Sequence, residues 1–295
     1  MRLFRDLGLK AEFGGYFHFG DVSIASICLD GVLVDEGTSS MDQLFDKGLV
    51  EVSEVDTSGM VGRVIVRNKS QSNLVVFDND ILRGAKQNRV SQATFVLGPG
   101  MQSPAPVFCV ERSRWRFDGD RNFSSSALAM GPKTRGLKMK MLKESQHRAH
   151  VQDSVWNEVD ELADKFSSYS RTADFENILE MQRFEAEREL NDFIARSDCH
   201  GFVVVAGRRR FMEIFWSKEV CRKQMLKSVR SWLADAAMEA KAPPIGQVAM
   251  QDFLMSSQWV SASPVGIETA YQGDGELNGR ATLLDDAMLH TFAEL

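Results

Sequence analysis

Cysteine is scarce in this 295-residue chain, and the four present, Cys28, Cys109, Cys199 and Cys221, lie far apart with no C-x-x-C pair. That spacing excludes a disulfide framework of the secreted kind and predicts free thiols in a reducing compartment. Long apolar runs are missing as well. No window reaches the ~18 consecutive apolar residues that a membrane-spanning helix needs. The opening stretch carries Arg2, Arg5, Asp6 and Lys10 where a signal peptide would be apolar. A cytoplasmic protein without membrane attachment is the expectation. Histidine is sparse and never forms H-x-x-x-H; His147 and His150 share a helical spacing that is common by chance, so no metal site is expected. The glycine-containing segments at 97–100 and 273–279 match neither the Walker loop nor the dinucleotide fingerprint, and there is no G-x-S-x-G elbow. The usual cofactor folds are disfavoured on that ground, and no cofactor is expected.

What is present is ordinary globular material, 43% hydrophobic and 26% charged. It suffices for one large domain or two of ~100–200 residues. The net charge of −6 argues against broad nucleic-acid binding, leaving only a local basic patch such as Arg112, Arg114, Arg116 and Arg121 for that role.

Residues 1–129 read as β-rich. A hairpin is expected over 22–35 around Asp30-Gly31, followed by strands in 49–56, 61–70, 73–80, 90–100 and 105–111. The triplet Ser124–Ser126 reads as a flexible loop. Residues 130–150 hold Lys133, Arg135, Lys138, Lys140, Lys143 and Arg148 against Glu144 alone, the pattern of a mobile, solvated basic connector or of a loop that orders around an anionic ligand. From 151 to 295 the period turns helical. Two helices are expected between Gln152 and Ile194, broken near 167–172, then a hairpin of 201–207 with 211–216. A helix capped by Ser217 should run to about Lys241 and stop at Pro243-Pro244, with strand-like pieces at 264–271 and 287–292 in the tail. The fold class is α+β: a sandwich or twisted antiparallel sheet with a mixed helical and hairpin C-terminal half packed on it, in one continuous unit.

Two polar clusters carry the chemistry. The first, 78–89, packs Asp78, Asp80, Arg83, Lys86, Gln87, Asn88 and Arg89 around a strand end, with Gly84 permitting a turn. Amides read the polar edges of a sugar or base, and cations neutralise phosphate or carboxylate. The alternative is a polar turn satisfying its own backbone. The second is C-V-E-R-S-R-W-R-F at 109–117, where Cys109 and Glu111 share one strand face. A thiolate can be a nucleophile and a carboxylate a general base; equally, a strand cysteine is a small buried hydrophobe, and Trp115 a core residue or a stacking wall.

In this order and spacing, G-A-K-Q-N-R at 84–89 followed by C-V-E-x-x-R-W at 109–115 resembles the ARPP-1 family, a domain associated with ADP-ribosylglycohydrolases and rhodanese-phosphatase superfamily proteins. The segment from Gly201 to Val220, the helix end at 233–238 and a closing strand with His290 and Phe292 are similar to its second half. The family's acidic residue before K-Q-N-R is Asp80 here, and its glycine before R-W is Ser113. The family has no stated reaction; the resemblance implies a connection with ADP-ribose or NAD-related metabolism. Carried over residue by residue, it implies Asp80, Glu111 and Cys109 as catalytic candidates and Lys86, Gln87, Asn88, Arg89, Arg114 and Trp115 as ligand-binding ones. The expectation is a protein that binds or processes an anionic nucleotide-sugar. The alternative is a structural or partner-binding protein whose polar clusters hold strand ends together.

Overall fold

A computed structural model of the chain describes residues 3–239 and 257–294, apart from 32, 35, 36, 118, 120 and 169. Helix α1 (Leu3–Asp6) leads into the antiparallel pair β1 (Lys10–Phe19) and β2 (Val22–Asp30). The β-rich half continues through β3 (Thr38–Ser40), α2 (Met41–Phe45), β4 (Val50–Glu54), β5 (Arg63–Asn68), β6 (Asn73–Val76), β7 (Asp80–Gly84), β8 (Arg89–Ser91), β9 (Phe95–Leu97), β10 (Gln102–Cys109) and β11 (Phe123–Ala129). Helices α3 (Pro132–Lys143), α4 (Arg148–Lys165), α5 (Phe175–Glu180) and α6 (Glu187–Arg196) follow. Then come β12 (Gly201–Ala206), β13 (Arg209–Phe215), α7 (Lys218–Met238), β14 (Trp259–Ala262), β15 (Thr269–Gly273), β16 (Asn278–Leu284) and β17 (Ala287–Glu294). The mixture of helices and antiparallel sheets is α+β, with the first half β-rich.

Strands from both ends of the chain share one eight-stranded sheet, ordered β1-β2-β12-β13-β17-β16-β15-β14. A six-stranded sheet, β11-β7-β8-β10-β5-β4, and a three-stranded one, β3-β6-β9, come from the first half. The central strands of the large sheet are buried on both faces. Along β12, Phe202, Val204 and Ala206 join the core formed with α6 and α7, while Val203 and Val205 point into the core formed with α1 and Trp259. Double-sided burial explains why G-F-V-V-V-A is an unbroken apolar run instead of an alternation. Gly201 is a glycine by necessity: a Cβ there would stand 2.3 Å from the Glu213 carbonyl oxygen.

The β12–β13 hairpin and the Ser217 cap form as the residues predict, the Ser217 hydroxyl accepting from the Val220 N–H at 3.5 Å. Pro243-Pro244 and the expected helix end near Lys241 lie outside the described residues. Several expectations are corrected. Asp30-Gly31 ends β2 and turns no hairpin; the hairpin partner is β1, whose Gly14-Gly15 pair and mostly exposed face hide it in the sequence. The stretch 90–100 is two strands in different sheets, because Ser91 turns onto the Ala93 carbonyl at 2.8 Å and separates β8 from β9. Ser124–Ser126 lie in β11, paired with β7. Three helices replace the expected pair between 148 and 196, with a second break after Glu180.

The largest correction concerns 130–150. It is no mobile connector: Pro132 opens α3 at its first turn, and Arg135 and Lys138 are 1% and 0% exposed. The Arg135 guanidinium donates to Asp78 Oδ2 at 2.9 Å and to Glu213 Oε1 at 2.8 Å, and it lies 3.7 Å from the centre of the Phe292 ring. Lys138 Nζ donates to the Asp78 and Ser91 carbonyls, each at 2.7 Å. His290 completes the network between Glu213 and Thr94, at 3.1 and 3.0 Å. A buried cation survives only with such partners.

Candidate functional site

The chain leaves β7 through Gly84 at φ 115° and Ala85 at φ 42°, a tight reversal that brings Asn88 to the start of β8. Beyond β10, Val110 N–H donates to the Asn88 carbonyl at 3.1 Å, and Phe175 N–H donates to the Val110 carbonyl at 3.1 Å. Glu111 forms an isolated antiparallel bridge with Asp174. Three segments distant in sequence are therefore stitched together by backbone, and their side chains converge.

Asn88 is the hub of that convergence. Its backbone N–H donates to Glu111 Oε2 at 3.0 Å, while its side-chain amide donates to Asp174 Oδ1 at 3.1 Å and Glu176 Oε2 at 3.3 Å. Its Oδ1 accepts from Gly84 N at 2.9 Å and Arg114 Nη2 at 3.3 Å. Arg114 clamps Glu111, with Nε 2.9 Å from both carboxylate oxygens and Nη2 2.8 Å from Oε2. Its Nη1 reaches the Ala85 carbonyl at 2.7 Å. Burial pushes the Asp174 carboxyl up to about 6; neighbouring Glu111 adds to the rise and the Asn88 hydrogen bond opposes it. Burial likewise raises Glu176, against a hydrogen bond from Ser126 Oγ.

Asn88, Glu111, Arg114 and Asp174 line a half-open cleft of about 670 Å³. Arg83, Arg116, Arg171, Asn177, Glu180 and Met181 complete its rim. The cleft thus brings exposed arginines together with the Asp174 carboxyl, whose protonation is shifted by burial, an arrangement able to hold an anion and move a proton.

Of the candidate site residues that the sequence names, Asn88, Glu111 and Arg114 meet in this cleft, and Arg83, Gly84 and Arg116 from the same two polar stretches line it with them. The other candidates stand outside it. Asp80 is fully buried, accepting from Phe77 N at 2.8 Å and facing Lys227 Nζ at 3.3 Å. Burial raises its carboxyl to about 6, with Lys227 opposing and Asp42 contributing. The Cys109 thiol is buried and donates to the Val61 carbonyl at 3.5 Å; burial pushes it up to about 11, Arg89 opposing, which removes the thiolate a nucleophile requires. Lys86 Nζ holds the Thr57 and Ser58 carbonyls, each at 2.7 Å. Gln87 donates to the Glu111 and Arg112 carbonyls. Arg89, 0% exposed, donates to the Gln87 side chain at 2.8 Å and sits 3.8 Å from Glu54. Trp115 is 42% exposed, yet its ring lies over Lys86 and Arg89, at 5.6 and 5.3 Å, and does not line the cleft.

Asp174, Glu176 and Arg171 went unread in the sequence. Their one local signal is T-A-D-F-E-N at 172–177, an aspartate at the N-cap position of α5 with a glutamate in its first turn, and that is an ordinary helix start. His147 spends its Nδ1 accepting from Ala149 N at 3.3 Å as the cap of α4. Among the described residues, no group of three or more His, Cys, Asp or Glu is placed to hold a metal ion, and no helix is long and apolar enough to cross a membrane.

No curated protein and no solved structure matches the chain. One family model does, that of the ARG and Rhodanese-Phosphatase-superfamily-associated Protein domain, over residues 10–293, a span that takes in all three sheets and every wall of the cleft. The chain belongs to the ARPP-1 family.

Proposed function

We propose that the cleft binds an anionic nucleotide-sugar of the ADP-ribose class, or another NAD-derived metabolite, and that Asp174 and Glu111 act on it as an acid–base pair. The observation that carries this reading is the double grip of Asn88 on Glu111 and Asp174 inside a cleft rimmed by Arg83, Arg116 and Arg171. The arginines suit a pyrophosphate, and Met181, 62% exposed on the same rim, offers an apolar surface to a base. Asp174, pushed up to about 6, carries its proton closer to neutrality than a free carboxyl does and suits the general acid. Glu111, held by Arg114, suits the base that activates water on the other side of a glycosidic bond. The family's association with ADP-ribosylglycohydrolases points to the same ligand class.

Calorimetric titration with ADP-ribose tests the reading. Arg116→Ala and Arg171→Ala are expected to weaken binding by ~1–3 kcal/mol each if they make charged hydrogen bonds to phosphate. Asp174→Asn is expected to retain binding and lose turnover. A folded wild-type protein that gives no heat with ADP-ribose, NAD or related nucleotides overturns the proposal.

A non-enzymatic reading draws on a different observation: Lys86, Gln87 and Arg89 direct their hydrogen bonds onto the protein itself. On that reading Gln87→Ala lowers the unfolding midpoint, and no substitution on the cleft rim changes the affinity for any nucleotide.

A further inference from the structure

A second cavity, of about 480 Å³, lies between the turn into β5 and the first turns of α4, and it shares no residue with the cleft. Its walls are largely apolar. Met60 and Val61, both exposed, come from the turn, while Ala149 and Trp156 come from one face of α4, two helical turns apart. Gln152, between them on that face, accepts from the Cys109 N–H at 2.8 Å and donates to the Cys109 carbonyl at 2.9 Å, which holds the helix against the end of β10. Exposed apolar side chains gathered around a hollow mark a binding surface, whereas scattered ones need no explanation.

The charge on this lining is mostly positive. Arg148, the first residue of α4, donates to the Gly62 carbonyl at 2.9 Å, to the Val107 carbonyl and to Gln92 Oε1, and none of these acceptors carries a charge. Gly62 is what admits it, since a Cβ there would stand 2.7 Å from Arg148 Nε. Arg63 lines the same cavity, exposed and without a carboxylate partner among the described residues. No acidic residue stands in the first turn of α4 to offset the positive end of the helix. Among the described lining residues, Asp153 is the one carboxylate.

We infer that this cavity binds a small amphipathic carboxylate, with its hydrocarbon tail among Met60, Val61 and Trp156 and its carboxylate at Arg63 and the start of α4. A neutral hydrocarbon would leave two arginines and a helix N-terminus without a counter-charge, and a small polar anion would leave the apolar walls in water. A ligand with both parts satisfies both. The volume falls within the ~300–1,000 Å³ range of small-molecule sites. Each methylene that the walls take out of water is expected to tighten binding up to about fourfold, and the arginine fork fits a planar carboxylate.

Calorimetric titration of the full chain with octanoate, below its micelle threshold, is the test, with hexanoate and octan-1-ol as comparisons. Saturable single-site binding of octanoate is expected, several-fold tighter than that of either comparison. Met60→Asp, a change at an exposed position, is expected to weaken octanoate by roughly tenfold or more, because it sets a carboxylate against the tail. Arg63→Gln should weaken it about three- to fivefold, the worth of an exposed charge pair. Arg171→Ala, in the cleft, should leave it unchanged, and Trp156→Phe should remove the octanoate-dependent change in tryptophan emission. Absence of binding overturns the inference, as does octanoate binding that Met60→Asp leaves intact, or octan-1-ol binding as tightly as octanoate. Self-association in sedimentation that Met60→Asp abolishes, with no octanoate bound, also overturns it and makes the patch a contact between copies of the chain. Each of these outcomes is independent of whether the cleft binds ADP-ribose.

Discussion

Asn88 donates its side-chain amide to Asp174 Oδ1 at 3.1 Å, across 86 positions of sequence. Its backbone N–H holds Glu111 at the same time. One residue therefore fixes the spacing of two carboxyl groups in a cleft that no single segment could build.

Asn88→Ala deletes every side-chain bond of that hub and leaves Asp174, Glu176 and the Gly84 N–H short of partners in a buried setting. The expected loss of stability is ~1–3 kcal/mol, the usual cost of unsatisfied buried groups. Urea denaturation measures it. Affinity for ADP-ribose should fall in the protein that remains folded, and a variant as stable as wild type would show that the hub is dispensable.

Asp174 also predicts a pH dependence. Its folded carboxyl is raised from 3.8 to about 6, so protonation favours the folded state. The associated stability is fully present below about pH 4 and is lost as pH rises through 6. Asp80, raised to about 6, and Asp235, raised to about 7, act in the same direction. Asp174→Asn removes one of these contributions, and its unfolding free energy should change less than that of wild type between pH 4 and 7, by roughly 2–3 kcal/mol from a shift of this size. Parallel curves for the two proteins would contradict the assignment.

Arg135→Ala leaves Asp78 and Glu213 as buried charges without their cation. A loss of ~3–5 kcal/mol is expected, enough to lower the melting temperature sharply or prevent folding. Lys140, one helix turn away and exposed, is the control; Lys140→Ala should stay within about 0.5 kcal/mol of wild type. Equal effects at both positions would mean that 130–150 behaves as a solvated segment after all.

Cys109 should resist alkylation. With its thiol buried and pushed up to about 11, brief treatment of the folded protein with iodoacetamide at pH 8 is expected to leave its peptide unmodified, as followed by mass spectrometry. Cys109→Ala should keep whatever nucleotide binding the wild type has. Loss of turnover in that variant with binding intact would return the thiol to the reaction.

Much of the secondary structure was legible because it depends on neighbours in sequence. The β12–β13 hairpin follows from two apolar runs around Gly207, and α7 begins where Ser217 can cap it. Half of the cleft was legible for a similar reason, since Asn88, Glu111 and Arg114 stand in dense polar stretches at strand ends. Strand β1 was not, because its exposed face and paired glycines suppress the apolar alternation. The separate fates of Asn88 and Arg89 were not legible either. Adjacent in sequence, the one faces the cleft and the other is sealed beneath Trp115.

Local periodicity, capping and turn chemistry were settled by the order of residues alone, since each acts over a few positions of chain. The membership of the cleft was a tertiary decision. Asp174 reaches Asn88, and Arg135 reaches Asp78 and Glu213, across 86, 57 and 78 positions. Whether a charge is solvated or buried depends on what the rest of the fold presents to it. The same basic run that reads as a surface segment becomes the buried face of α3 once two carboxylates, Asp78 from the turn between β6 and β7 and Glu213 from β13, wait there to receive it.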